Sequence, residues 1–155
     1  MILGRALLSF VTLIILTSGC VDTGTSPSED SAEEGIGLSD LSLGDCLNDS
    51  DLSAYSDITN ILRVSCEEPH DSEVFAILQV DAPSFPGEEE IIAQGRLRCA
   101  QAFADFIGVP YSQSALDFRF IYPTLSSWAQ GDNLLHCLAF DPGLQITGSL
   151  IHSKR

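Results

Sequence analysis

Five cysteines constrain this chain more than any other feature it has. Four of them, Cys46, Cys66, Cys99 and Cys137, are widely spaced with no close Cys-x-x-Cys pair. That spacing argues against a four-thiolate zinc site and for oxidation in pairs. Sequence alone permits three pairings. The pairing we favour joins Cys46 to Cys66, closing the local loop between them, and Cys99 to Cys137, tying a helix to a sheet. Each bridge contributes roughly 3 to 4 kcal/mol in a loop-entropy description.

Cys20 stands apart. It follows "ALLSFVTLIIL" (6–16), an eleven-residue apolar run with Arg5 as the one charge ahead of it. The run is too short to cross a ~30 Å hydrocarbon core, which takes roughly 20 apolar residues, but it fits a signal-peptide core. Residues 1–19 therefore read as an export signal. Ser18 and Gly19 before Cys20 resemble the lipobox of bacterial lipoproteins, with Thr17 where an aliphatic residue usually stands. The resemblance implies a diacylglyceryl group on the Cys20 sulfur, with acyl chains such as palmitate, and Cys20 as the mature N-terminus. Two acyl chains give stable membrane attachment where one gives only marginal binding. Left unmodified, Cys20 would be an unpaired thiol outside the cell, open to oxidation and mispairing. The expected location is the extracytoplasmic face of the cell membrane, where disulfides persist.

Without residues 1–19 the chain holds six Lys or Arg against 22 Asp or Glu, a formal charge of −16. No basic stripe remains to meet phosphates, which argues against a nucleic-acid partner. The same charge repels anionic headgroups, so membrane contact falls to the lipid anchor. After Cys20, "VDTGTSPSEDSAEEGIGLSD" (21–40) is rich in Ser, Thr, Gly and acids and has no aromatic residue. Too little apolar surface is available there to offset chain entropy, so residues 20–40 read as a disordered acidic tether. Its root-mean-square span is roughly 25 Å. Residues 41–155 match the size of one small domain.

Within that domain, "DAPSFPG" breaks the chain before "EEEIIAQGRLRCAQAFADFIG" (88–108). Three acids suit the positive end of a helix dipole, and Gly108 with Pro110 closes the segment. Ile92, Cys99, Phe103 and Phe106 fall on one helical stripe, so Cys99 faces inward, while Arg96 and Arg98 point to solvent or a local ion pair. Segments 61–66, 73–80, 117–122, 133–140 and 147–151 are short, β-branched or aromatic, and bounded by turn formers. "AQGDN" (129–133) reads as the turn before the strand bearing Cys137. In "LLHCLAF" both alternating faces carry apolar residues, so alternation leaves the direction of Cys137 open. The fold class that follows is α+β: a small, mostly antiparallel sheet with one long helix packed on it and two disulfides.

Few residues offer chemistry. His70, after Pro69 and near Asp71 and Glu73, has the surroundings of a base or metal ligand. The commoner role of a histidine at a turn is to bond a nearby backbone or carboxylate, or to contact a partner. "DCLNDSD" (45–51) supplies oxygen ligands but lacks the glycine and distal glutamate of a helix-loop-helix calcium site, and so reads as a solvated loop. No Gly-x-Ser-x-Gly turn is present. Trp128, near Tyr122 and Pro123, either caps a small core or forms part of a partner-facing aromatic patch.

Three blocks, "GDCLND" (44–49), "VSCEEPHDSEVFAIL" (64–78) and "PTLSSWAQGDNLLHCLAF" (123–140), followed by "GSL" (148–150), resemble the septum formation domain of actinobacterial proteins. The resemblance spans essentially the whole folded part and implies an exported or membrane-anchored protein working near division or the cell envelope. It implies no reaction. The expected function is a lipid-anchored module that binds an envelope or division protein or a wall component, with no catalysis, cofactor or metal. A different expectation is an envelope hydrolase using His70 and nearby acids. Solute capture ranks lower, because one small domain lacks two lobes to close over a solute.

Overall fold

Proline and glycine fence off the long helix. The computed structural model describes residues 34–49 and 61–155; the signal segment, Cys20, most of the expected tether and residues 50–60 lie outside the described residues. Helix α1 runs Glu88–Ile107, directly after Pro86 and Gly87, with three glutamates in its first turn. It stops at Gly108, whose φ of 90° is open to glycine at little steric cost, and the Gly108 N–H closes on the Ala104 carbonyl at 2.9 Å.

Six strands form one sheet: β1 (Glu34–Ile36), β2 (Cys46–Asn48), β3 (Ile61–Val64), β4 (Ser72–Gln79), β5 (Asp117–Ile121) and β6 (Leu134–Phe140). Their order is β1-β3-β2-β4-β6-β5, and every pairing is antiparallel. A four-residue helix, α2 (Leu125–Trp128), links β5 to β6. Its start is a capping box in which Thr124 Oγ1 accepts the Ser127 N–H at 3.1 Å and Ser127 Oγ accepts the Thr124 N–H at 3.0 Å. The α+β architecture matches the sequence expectation.

Helix α1 packs on β4, β5 and β6. Its buried stripe is Ile91, Gly95, Cys99, Phe103, Phe106 and Ile107. Ile92, expected in the stripe, is only half-buried; steps of four from Cys99 reach Gly95 and Ile91, and Ile91 packs with Val80 and Leu135. Beneath the helix lies a core of Phe75, Phe103, Phe106, Leu116, Ile146 and Leu150 around the Cys99–Cys137 bridge, with Phe75 and Phe103 edge-on at 5.5 Å. The opposite sheet face buries Ile36, Leu41, Leu47, Ile61, Val74, Ile121 and Leu138.

A register shift between Val74 and Ala76 opposite β6 leaves Phe75 bulged. Phe75 and Ala76 thereby both join the helix-side core, while Val74 joins the other. Strand β6 is covered on both faces: Leu135, Cys137 and Ala139 are buried, as are His136 and Leu138.

Two further expectations are corrected. Residues 34–40, placed in the disordered tether, instead form β1 and a 3-10 turn at Leu38–Asp40, because Ile36 and Leu38 reach the second core. Segment 147–151 is no strand. Ile146 makes one isolated bridge with His70, then Gly148 turns the chain at φ 84° and donates its N–H to the Cys66 carbonyl at 2.6 Å. The sequence also missed β2, hidden in the acid-rich loop, and α2.

Candidate functional site

Both disulfides take the favoured pairing. Cys46–Cys66 joins β2 to the residues after β3 with Cα atoms 5.3 Å apart, and Cys99–Cys137 joins α1 to β6 at 5.7 Å. The four sulfurs are thus committed to one another.

His70 lies in the connection from β3 to β4 and bridges to Ile146. Its backbone exchanges hydrogen bonds with Ile146 at 2.9 and 2.8 Å, and its side chain is 0% exposed. The Nδ1–H donates to the Glu68 carbonyl at 2.8 Å, which leaves the lone pair on Nε2; Nε2 is buried without a partner. Glu73, also buried, accepts from the Ser149 hydroxyl at 2.7 Å and the Leu150 N–H at 2.5 Å. Asp71 turns elsewhere, accepting from the Asp49 N–H at 2.9 Å and the Gln145 amide at 3.0 Å. The turn-ordering backbone bond expected of His70 is present. Contact with a partner, the other role expected of it, is not open to a side chain sealed from solvent.

Acids of the 45–49 loop are engaged with the protein's own groups. Asp45 accepts from the Ser42 N–H at 2.8 Å and lies 3.8 Å from Arg63. Asp49 is buried and ion-pairs with Arg119, whose guanidinium also lies 4.9 Å above the Phe140 ring. Asp51 lies outside the described residues.

Trp128 ends α2 and is half-buried, edge-on to Phe85 at 5.9 Å. With Tyr122 and Phe120 it covers the small core of Val80, Ile91 and Leu135. The Tyr122 hydroxyl donates to Glu88 at 2.9 Å, tying this aromatic end to the start of α1. Leu125, on the same short helix as Trp128, is 66% exposed. A shallow open groove lined by Glu88, Glu89, Ile92, Ala93 and Arg96 runs along the neighbouring face of α1. Arg98, by contrast, is held in place by donating to the Gln79 carbonyl at 2.6 Å. Sequence reading singled out Trp128 but missed Leu125 and Phe85; a leucine directly after the Thr124 cap signal marks a helix start that leaves it outward.

A model of the septum formation family matches residues 42–150. The chain belongs to the septum formation family. All three blocks that carried the resemblance, and the "GSL" that follows them, fall inside the matched span. No curated protein and no solved structure matches it. Membership ties this septum formation domain to cell division or the envelope. Among the described residues, no helix is long and apolar enough to cross a membrane.

Proposed function

We propose that this septum formation domain is a lipid-anchored interaction module on the extracytoplasmic face of the cell membrane, attached through Cys20 and free of catalysis. Its partner is an envelope or division protein, or a component of the cell wall. The observation that carries the reading is the apolar end formed by exposed Leu125 beside Trp128 and Phe85, on a chain whose formal charge is −15. Apolar area presented amid acids favours contact over solvation at that place. Two disulfides support an oxidising compartment. The burial of His70 speaks against the hydrolase, since a base must reach the proton it abstracts.

The test places a photocrosslinking side chain at position 125 and, as a control, at exposed position 112, in cells making the full chain. Crosslinks to an envelope or division protein, or to wall fragments, at 125 and not at 112 support the reading. Equal yields at both positions, or none at 125, overturn it. Mass analysis of the isolated protein tests the anchor: a diacylated N-terminal Cys20 is expected, and an unacylated terminus removes that half of the proposal.

A further inference from the structure

Three potential metal ligands meet in the buried interior beside β2. Cys46 Sγ, a ring nitrogen of His70 and a carboxylate oxygen of Glu73 lie within 4.8 Å of one another, and all three residues are buried. Donation from Nδ1 to the Glu68 carbonyl fixes the His70 tautomer, and Nε2 keeps an unshared lone pair. A backbone carbonyl on one ring nitrogen is the support that orients metal-bound imidazoles. The two hydrogen bonds accepted by Glu73 likewise hold its carboxylate still and leave each oxygen further capacity. In the oxidised chain the Cys46 sulfur is spent on Cys66, and a disulfide sulfur is not a thiolate ligand.

We propose that opening the Cys46–Cys66 disulfide converts this buried cluster into a zinc site made by the Cys46 thiolate, His70 Nε2 and the Glu73 carboxylate. The reductant is a dithiol. Its thiolate attacks Cys66, the partly exposed member of the pair, and releases Cys46 as a thiolate. The second thiol of the reductant then displaces Cys66, which takes up a proton, and the dithiol leaves as its own disulfide. Two electrons pass from reductant to protein, and the Cys46 electron pair goes to the metal. Cys99 and Cys137 are both fully buried, so their bond is not reached. Tetrahedral zinc holds N, O and S ligands ~3.5 Å apart, so atoms now within 4.8 Å of one another would draw together by at most about 1.3 Å, and the fourth position falls to Cys66 or water.

Cys66→Ser frees Cys46 without any reductant and leaves Cys99–Cys137 intact. The variant, its fold checked by circular dichroism, is titrated with cobalt(II) and then with zinc against a chromophoric chelator. One equivalent bound, with a thiolate-to-cobalt charge-transfer band, is expected. His70→Gln or Glu73→Gln in that background should weaken binding by more than the roughly 10- to 100-fold lost with an outer-shell partner. Wild-type protein, opened by a dithiol without air and shown by mass to have lost one disulfide, should give the same band. The proposal is overturned if neither form shows the band, if the glutamine variants leave it unchanged, or if both forms unfold once Cys46 is free.

Discussion

Glu73, in the middle of the sheet, holds the backbone of Leu150 through a 2.5 Å hydrogen bond to its buried carboxylate. The same carboxylate takes the Ser149 hydroxyl, so one side chain docks the turn that follows Gly148. Glu73→Ala leaves these donors without an acceptor and should cost about 2 to 3 kcal/mol. Urea unfolding checks it, as a lower midpoint at unchanged m-value.

Gly95 lies in the interior of α1, where glycine normally costs stability. Here a Cβ would sit 2.3 Å from the Phe120 ring. Gly95→Ala gains up to about 1 kcal/mol of helix propensity and meets an overpacking cost of about 1 to 3 kcal/mol, so a lower melting temperature is expected. Adding Phe120→Leu should recover the loss; a Gly95→Ala chain that melts higher than wild type would refute the steric account.

Asp49 and Arg119 form an ion pair in which the acid is wholly buried. Removing the cation alone, as in Arg119→Met, strands a buried charge and should cost about 3 to 5 kcal/mol. The double variant with Asp49→Asn should regain most of it, as measured by a thermodynamic cycle in denaturant.

Burial lowers the His136 pKa below its usual value, with Asp132 opposing the shift. A depressed folded value means the unfolded chain binds the proton more readily. The stabilising contribution of His136 is therefore complete above its unfolded pKa of about 6.5 and is lost as pH falls through the lower folded value. His136→Leu should flatten the wild-type decline in melting temperature over that acidic window while leaving the neutral-pH fold intact.

Much of the fold was legible because its signals are local. Pro86 with Gly87 and Gly108 frame α1, and the stretches around Phe75, Phe118 and Leu135 carry strand chemistry. What was hidden depends on partners distant in sequence. Cys46–Asn48 becomes β2 only because β3 and β4 lie on either side of it, and Ile36 leaves the tether because the second core has room for it. Residues 147–151 carry strand-like side chains, yet the Glu73 carboxylate and the Cys66 carbonyl claim their N–H groups. At the candidate site, Trp128 was visible as the one tryptophan, whereas the burial of His70 is set by the Ile146 bridge, which no local pattern announces.

The edge position of β1 decides how the domain bears mechanical load. A pull applied ahead of Glu34 enters at a strand held by three residue pairs to β3, which would come away one pair at a time, like a zipper. Beyond it the force reaches Cys46 and passes straight through sulfur to Cys66, bypassing the chain between them. Traction from the N-terminal side would thus gain a short increment of length, skip the segment that the disulfide encloses, and arrive at β4, whose pairing with β6 is the next resistance it meets.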